Sequence, residues 1–123
     1  LVIKKMTESL KLNTRIICVK TVRDRNGLPL SSRNSYLSGQ EFKIAIKINK
    51  LLKKLPPLIR TKLKINKILN HTKKVLIDHG VDKIDYLTVL NDDLSVRKKI
   101  SDKSRIFIAA KIGNTRLIDN IKI

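Results

Sequence analysis

Residues 22–37 run Val-Arg-Asp-Arg-Asn-Gly-Leu-Pro-Leu-Ser-Ser-Arg-Asn-Ser-Tyr-Leu, and residues of these types in this order have the parts of an anion site. Gly27 permits backbone turns that other residues resist. Ser31 and Ser32 set hydroxyl donors beside their own backbone N–H groups, and Arg33 adds a planar fork of donors suited to phosphate oxygens. Successive N–H groups in such a turn form a nest that favours negative charge. The competing reading is a solvated loop whose arginine pairs with a surface acid, and short Ser/Arg motifs arise by chance often enough to give it weight.

Other groups with reactive chemistry are sparse. His71 and His79 fall on or at the end of a helical pattern and read as surface or packing residues. Cys18 lies in an apolar run and reads as core; a single cysteine builds neither an internal disulfide nor a Cys-based zinc site. Asp92 and Asp93 could hold a cation, but two adjacent acids in a turn are usually solvated, so no metal site is assigned.

The elements around the loop follow from periodicity. Val2, Ile3, Met6 and Leu10 recur at roughly helical spacing, giving the end of an amphipathic helix. Asn13 signals a turn, and Arg15-Ile16-Ile17-Cys18-Val19 then predicts a short buried strand. A helix leading into an apolar strand is half of an α/β unit, whose other half should lie upstream. Residues 21–38, rich in Ser, Asn, Gly and Pro, predict a long functional loop.

Ser38 and Glu41 have capping-box spacing, and Ile44, Ile48, Leu51, Leu52 and Leu55 form one stripe of a helix that Pro56-Pro57 should end. A second helix is predicted from about Lys62 to His79, with Ile65, Ile68, Leu69, Thr72 and Leu76 inward and Gly80 as its stop. Strands are predicted over 84–89, 105–112 and 117–121, with Gly113-Asn114 as a turn. The fold class is therefore α+β, a helical hairpin packed on a small, mostly antiparallel three-stranded sheet.

Composition bounds the function. A hydrophobic share of 41% supports a core, and an aromatic share of 3% makes that core aliphatic. No run of about 18 apolar residues exists to span a membrane, and the first residues lack the pattern of a signal peptide. The chain opens on Leu1 rather than Met, which suggests an excised piece. The formal charge of +18 invites a nucleic-acid reading. Against it, the lysines are dispersed and accompany heavy use of Ile and Asn, a pattern coding bias produces. Tyr36, Phe42, Tyr86 and Phe107 are not interleaved with a basic cluster for base stacking.

The order Gly-Leu-x-x-Ser-Ser-Arg-Asn-x-Tyr-Leu over residues 27–37 resembles the C-terminal signature of the pantothenate synthetase (pantoate–β-alanine ligase) family. Thr21-Val22-Arg23-Asp24, Asp85-Tyr86-Leu87 and Thr115-Arg116-Leu117-Ile118-Asp119-Asn120 are also similar to that family, so the resemblance covers essentially the whole chain. It implies three regions: residues 1–22 as the last helix–strand of a Rossmann-like nucleotide-binding domain, 23–37 as the ATP-phosphate loop and linker, and 38–123 as the C-terminal α+β domain.

In that family the loop plays the part of the KMSKS-like segment of class I nucleotidyltransferases. Carried over by position, Ser31, Ser32 and Arg33 would hold the triphosphate, with Arg33 the catalytic group facing the leaving pyrophosphate. The backbone around Val22 and the side chain of Leu30 would border the adenine; many relatives carry Met at the position of Leu30, a residue of similar volume. Asn34, Tyr36 and Leu37 would brace the loop.

The resemblance implies ATP with Mg2+, pantoate and β-alanine as ligands, the last two held by an N-terminal domain carrying the HxGH motif. It also implies a homodimer when intact, a cytoplasmic setting, no specific nucleic acid and no membrane. The chain alone is expected to be inactive. The alternatives are a basic nucleic-acid-binding module and a stand-alone interaction domain. An in-frame HxGH-containing stretch upstream of Leu1 would separate the last from an enzyme.

Overall fold

The computed structural model describes residues 2–61, 64–91, 100–101 and 103–123. Helices α1 (Val2–Ser9), α2 (Gly39–Arg60) and α3 (Ile65–Asp78) precede strands β1 (Lys83–Leu90), β2 (Arg105–Ile112) and β3 (Thr115–Lys122), and a 3-10 turn spans Ser32–Tyr36. The strands form an antiparallel sheet in the order β1-β2-β3, and α2 and α3 pack together on one face of it. This is the α+β architecture expected from the sequence.

Helix α2 starts where its cap dictates. The Ser38 Oγ accepts from the Glu41 N–H at 3.3 Å, and Glu41 Oε2 accepts from the Ser38 N–H at 2.7 Å. Ala45, Ile48, Leu52, Leu55 and Ile59 then bury one continuous stripe, with Ile44 and Leu51 on its flank. Pro56 and Pro57 do not end the helix, contrary to expectation; it continues to Arg60. A proline inside a helix costs about 3 kcal/mol. Burial of Leu55 and Ile59, at about 1.5–3 kcal/mol per side chain, works against the cost of the two prolines and holds the last turn.

Helix α3 turns Leu69, Thr72 and Leu76 inward. It ends at Gly80 (φ +96°), where the Gly80 N–H donates to Ile77 O and the Val81 N–H to Leu76 O, a Schellman pair. A start at Lys62 and the candidate pair Asp92 and Asp93 lie outside the described residues.

In the sheet, Ile106, Ile108, Ala110 and Ile112 of β2 and Leu117 of β3 face the helices. The register of β1 against β2 slips between Ile84 and Tyr86. That bulge keeps Ile84 and Leu87 toward the core and gives both Asp85 and Tyr86 to the opposite face.

The predicted strand over residues 15–19 does not form. The segment is irregular, Ile17 and Val19 are 67% and 84% exposed, and Cys18 is exposed rather than core. A strand needs a ladder partner to satisfy its backbone and cover its side chains, and none of the described residues pairs with it. The apolar residues of α1, Val2, Ile3 and Met6, are likewise exposed.

Candidate functional site

The loop is mounted before it is shaped. Asp24 closes its base as a tight turn: its Oδ1 accepts from the Asn26 N–H at 2.9 Å and from the Leu28 N–H at 2.8 Å. Gly27 adopts φ +86°, and a Cβ there would sit 2.6 Å from Asn49 Oδ1, so both conformation and the approach of α2 require glycine. Leu28 buries into the core beside α2, and an antiparallel bridge between Arg23 and Pro29 returns the chain.

Arg23 ties this base to β3. Its Nη1 and Nη2 donate to Asp119 Oδ2 at 2.9 Å and Oδ1 at 2.8 Å, a bidentate pair. Nη1 also donates to Gly27 O and Nη2 to Asn120 O, both at 3.0 Å. Asp119 is 6% exposed on the helix-covered side of the sheet, where an unpaired carboxylate would be costly. Asn49 of α2 supplies a further donor to Asp119 Oδ2 at 3.1 Å. The Asp119 hydrogen bond pushes the Arg23 pKa above its already high ordinary value, so the arginine stays charged at every working pH.

Beyond this mount the chain turns into the 3-10 segment. Ser31 caps it, its Oγ accepting from the Arg33 N–H at 3.2 Å, and Ser35 Oγ donates to Ser32 O at 2.7 Å. Asn34 Nδ2 donates to Pro29 O at 2.9 Å, and Leu37 packs against the core. Asn34 and Leu37 therefore brace the loop as expected; Tyr36, 73% exposed, does not.

The side chains of Leu30, Ser31, Ser32 and Arg33 all point away from the core into solvent-accessible space. Leu30, Ser31 and Arg33 line one groove of about 420 Å³, whose opposite wall is the outer face of the sheet with Tyr86, Phe107, Arg116, Ile118 and Asn120. Ser32 and Val22 do not line it, although the Leu30 N–H donates to Val22 O at 3.0 Å and keeps those two backbones together.

Arg116 Nε donates to Asp85 Oδ2 at 2.7 Å, and Lys83 Nζ lies 3.6 Å from Asp85 Oδ1. The Arg116 hydrogen bond holds the Asp85 carboxyl below the usual carboxylate range. His71 and His79 lie at the surface of α3 and its end, away from this groove. Among the described residues no cluster of three His, Cys, Asp or Glu could hold a metal ion.

Sequence reasoning missed the Arg23–Asp119 pair and the Asp85–Arg116 pair as interacting groups. All four residues lie in segments already singled out, but 96 and 31 positions separate the partners. Opposite charge alone does not select one pair among 28 basic and 10 acidic residues.

A small α+β domain carrying a Ser-Ser-Arg loop mounted on its edge strand matches known proteins closely. The crystal structure of pantothenate synthetase from Thermus thermophilus superposes with a TM-score of 0.86 at 27% identity, covering 98% of this chain and 44% of that one. Pantoate-β-alanine ligase from Francisella tularensis, solved in complex with β-γ ATP and β-alanine, superposes with a TM-score of 0.67 at 31% identity, covering 98% and 38%. Pantothenate synthetase of Bradyrhizobium sp. (strain BTAi1) is 37% identical over 99% of this chain and 44% of its own length.

The model of the family described as pantoate-beta-alanine ligase matches residues 1–122. The chain belongs to that family, and it spans less than half the length of the relatives it matches.

Proposed function

We propose that this chain is the C-terminal part of an ATP-dependent ligase that joins pantoate to β-alanine. A pantoate carboxylate oxygen attacks the α-phosphorus of ATP, and the bond to the β-phosphate oxygen breaks, giving pantoyl adenylate and pyrophosphate. The β-alanine amine then attacks the activated carbonyl, loses its proton and expels AMP, leaving pantothenate. Such transfers depend mainly on positioning and charge neutralisation.

The observation that carries this reading is the mounted loop: Leu30, Ser31 and Arg33 on one groove wall, fixed by Arg23 and Asp119, in a chain of this family. In it Ser31, Ser32 and Arg33 hold the triphosphate, Leu30 and the Val22 backbone border the adenine, and Arg33 neutralises charge growing on the leaving pyrophosphate. Mg2+ would accompany the nucleotide and neutralise part of its phosphate charge.

Residues 1–22 are assigned to the end of the Rossmann-like domain, 23–37 to the loop and linker, and 38–123 to the C-terminal domain. The exposed apolar residues of the first segment, Val2, Ile3, Met6, Ile17 and Val19, support this, because a larger α/β body would cover them. That body would hold pantoate and β-alanine and form the homodimer. The setting is cytoplasmic, with no nucleic-acid or membrane partner; no described helix is long and apolar enough to cross a membrane.

AMP release from ATP, pantoate and β-alanine tests the reading. The chain alone should give none, and adding the α/β portion of a relative in trans, or restoring it in cis, should give turnover. Turnover by the chain alone, or none with the α/β portion restored in cis, would refute it.

A further inference from the structure

The outer face of the sheet has no covering element among the described residues, yet it carries an organised cluster. The bulge in β1 sets Asp85 and Tyr86 on the same side, where regular alternation would have separated them. Asp85 accepts from Arg116 Nε at 2.7 Å. Anchoring by Nε leaves the paired terminal nitrogens, the edge of the fork that grips oxyanions. Arg116 lines the same groove as Arg33 and Ser31, and Phe107 and Tyr86 form part of its floor.

The charge balance of this groove favours an anion. Its lining carboxylate, Asp119, is taken by Arg23 and Asn49, and the nearby Asp85 is taken by Arg116. Arg33 adds an exposed positive charge, while the lining acid, Asp119, is already held by Arg23 and Asn49. Apolar and aromatic walls raise the strength of such contacts over their value in open water. At about 420 Å³ the groove is of the size that takes small ligands. A lone Asp85–Arg116 surface pair would be worth little to stability, so stability alone does not account for a bulge that presents it.

We propose that Arg116, aimed by Asp85, is a second oligophosphate-binding residue, contacting phosphate oxygens from the sheet wall opposite Arg33. This rests on the nucleotide reading of the loop and extends it: the phosphates lie between the loop and the outer face of the sheet rather than against the loop alone.

Titration of the 123-residue chain with pyrophosphate, followed by amide chemical shifts at about 0.15 M salt to screen diffuse attraction, tests it. Saturable binding is expected, with shifts at residues 31–33 and 116. Arg116→Ala should weaken it about tenfold or more, as for loss of a charged hydrogen-bonding group. Arg116→Lys should fall between, since it keeps charge but loses the fork. Lys47→Ala and Lys50→Ala, on α2 away from the groove, should change affinity less than twofold; circular dichroism melts confirm that each variant folds.

Absence of saturable binding overturns the proposal. If Arg33→Ala weakens binding and Arg116→Ala does not, Arg116 loses its role while the nucleotide reading stands. If the lysine variants weaken binding as much as the arginine variants, attraction is general to a basic surface, and both fall.

Discussion

Arg23 and Arg33 stand ten positions apart in one loop and do opposite things. Arg23 spends its guanidinium on Asp119, Gly27 and Asn120; Arg33 is exposed on the groove wall. Replacing Arg33 by Ala in the intact ligase should slow adenylate formation about 10–1,000-fold, as for loss of one charge-stabilising donor, with the melting temperature nearly unchanged. Rapid-quench measurement of pyrophosphate release checks this. Asp85 gives a pH signature. Its folded pKa lies below the ordinary aspartate value because of Arg116, so the pair's contribution is present above the unfolded pKa and fades as pH falls through the folded one. Melts of Asp85→Asn should therefore differ from wild type only slightly at neutral pH, as for a solvent-screened surface pair, and converge in acid. A gap that persists at low pH would show that the pair is not its source.

At the scale of elements, the loop keeps its position because α2 and β3 hold it. Asp119→Ala would strand the Arg23 guanidinium and the Asn49 amide in a largely buried setting, at a cost of about 2–4 kcal/mol. Urea denaturation measures that cost, and a loss under about 0.5 kcal/mol, the range of an ordinary surface change, would mean the pair does not secure the mount. Much of this layer was legible in the residues. The capping box at Ser38, the stripe of α2, the stop at Gly80 and the β2 boundaries all follow from local pattern, because each depends on near neighbours in sequence. What was not legible depends on distant ones. The strand expected over residues 15–19 has no described partner, so apolar character alone could not make it. Pro56 and Pro57 stay helical because tertiary burial of Leu55 and Ile59 outweighs a local rule. The bulge in β1 leaves no mark in the pattern, since Ile84 and Leu87 look like an ordinary lapse in alternation.

For the whole molecule, the charge of +18 and the exposed apolar residues of the first segment are its two unusual surface features. The charge is spread over all three helices and the sheet, whereas the apolar residues gather before the loop, as they would if a larger α/β body covered them. The loop signature was readable because its residues are contiguous; the groove was not, because its second wall comes from strands far along the chain. A crystal structure of the intact ligase with a non-hydrolysable ATP analogue tests the phosphate assignment most directly. Ser31, Ser32 and Arg33 should lie within hydrogen-bonding distance of the β- and γ-phosphate oxygens; a bound nucleotide with those three side chains turned to bulk solvent would contradict it.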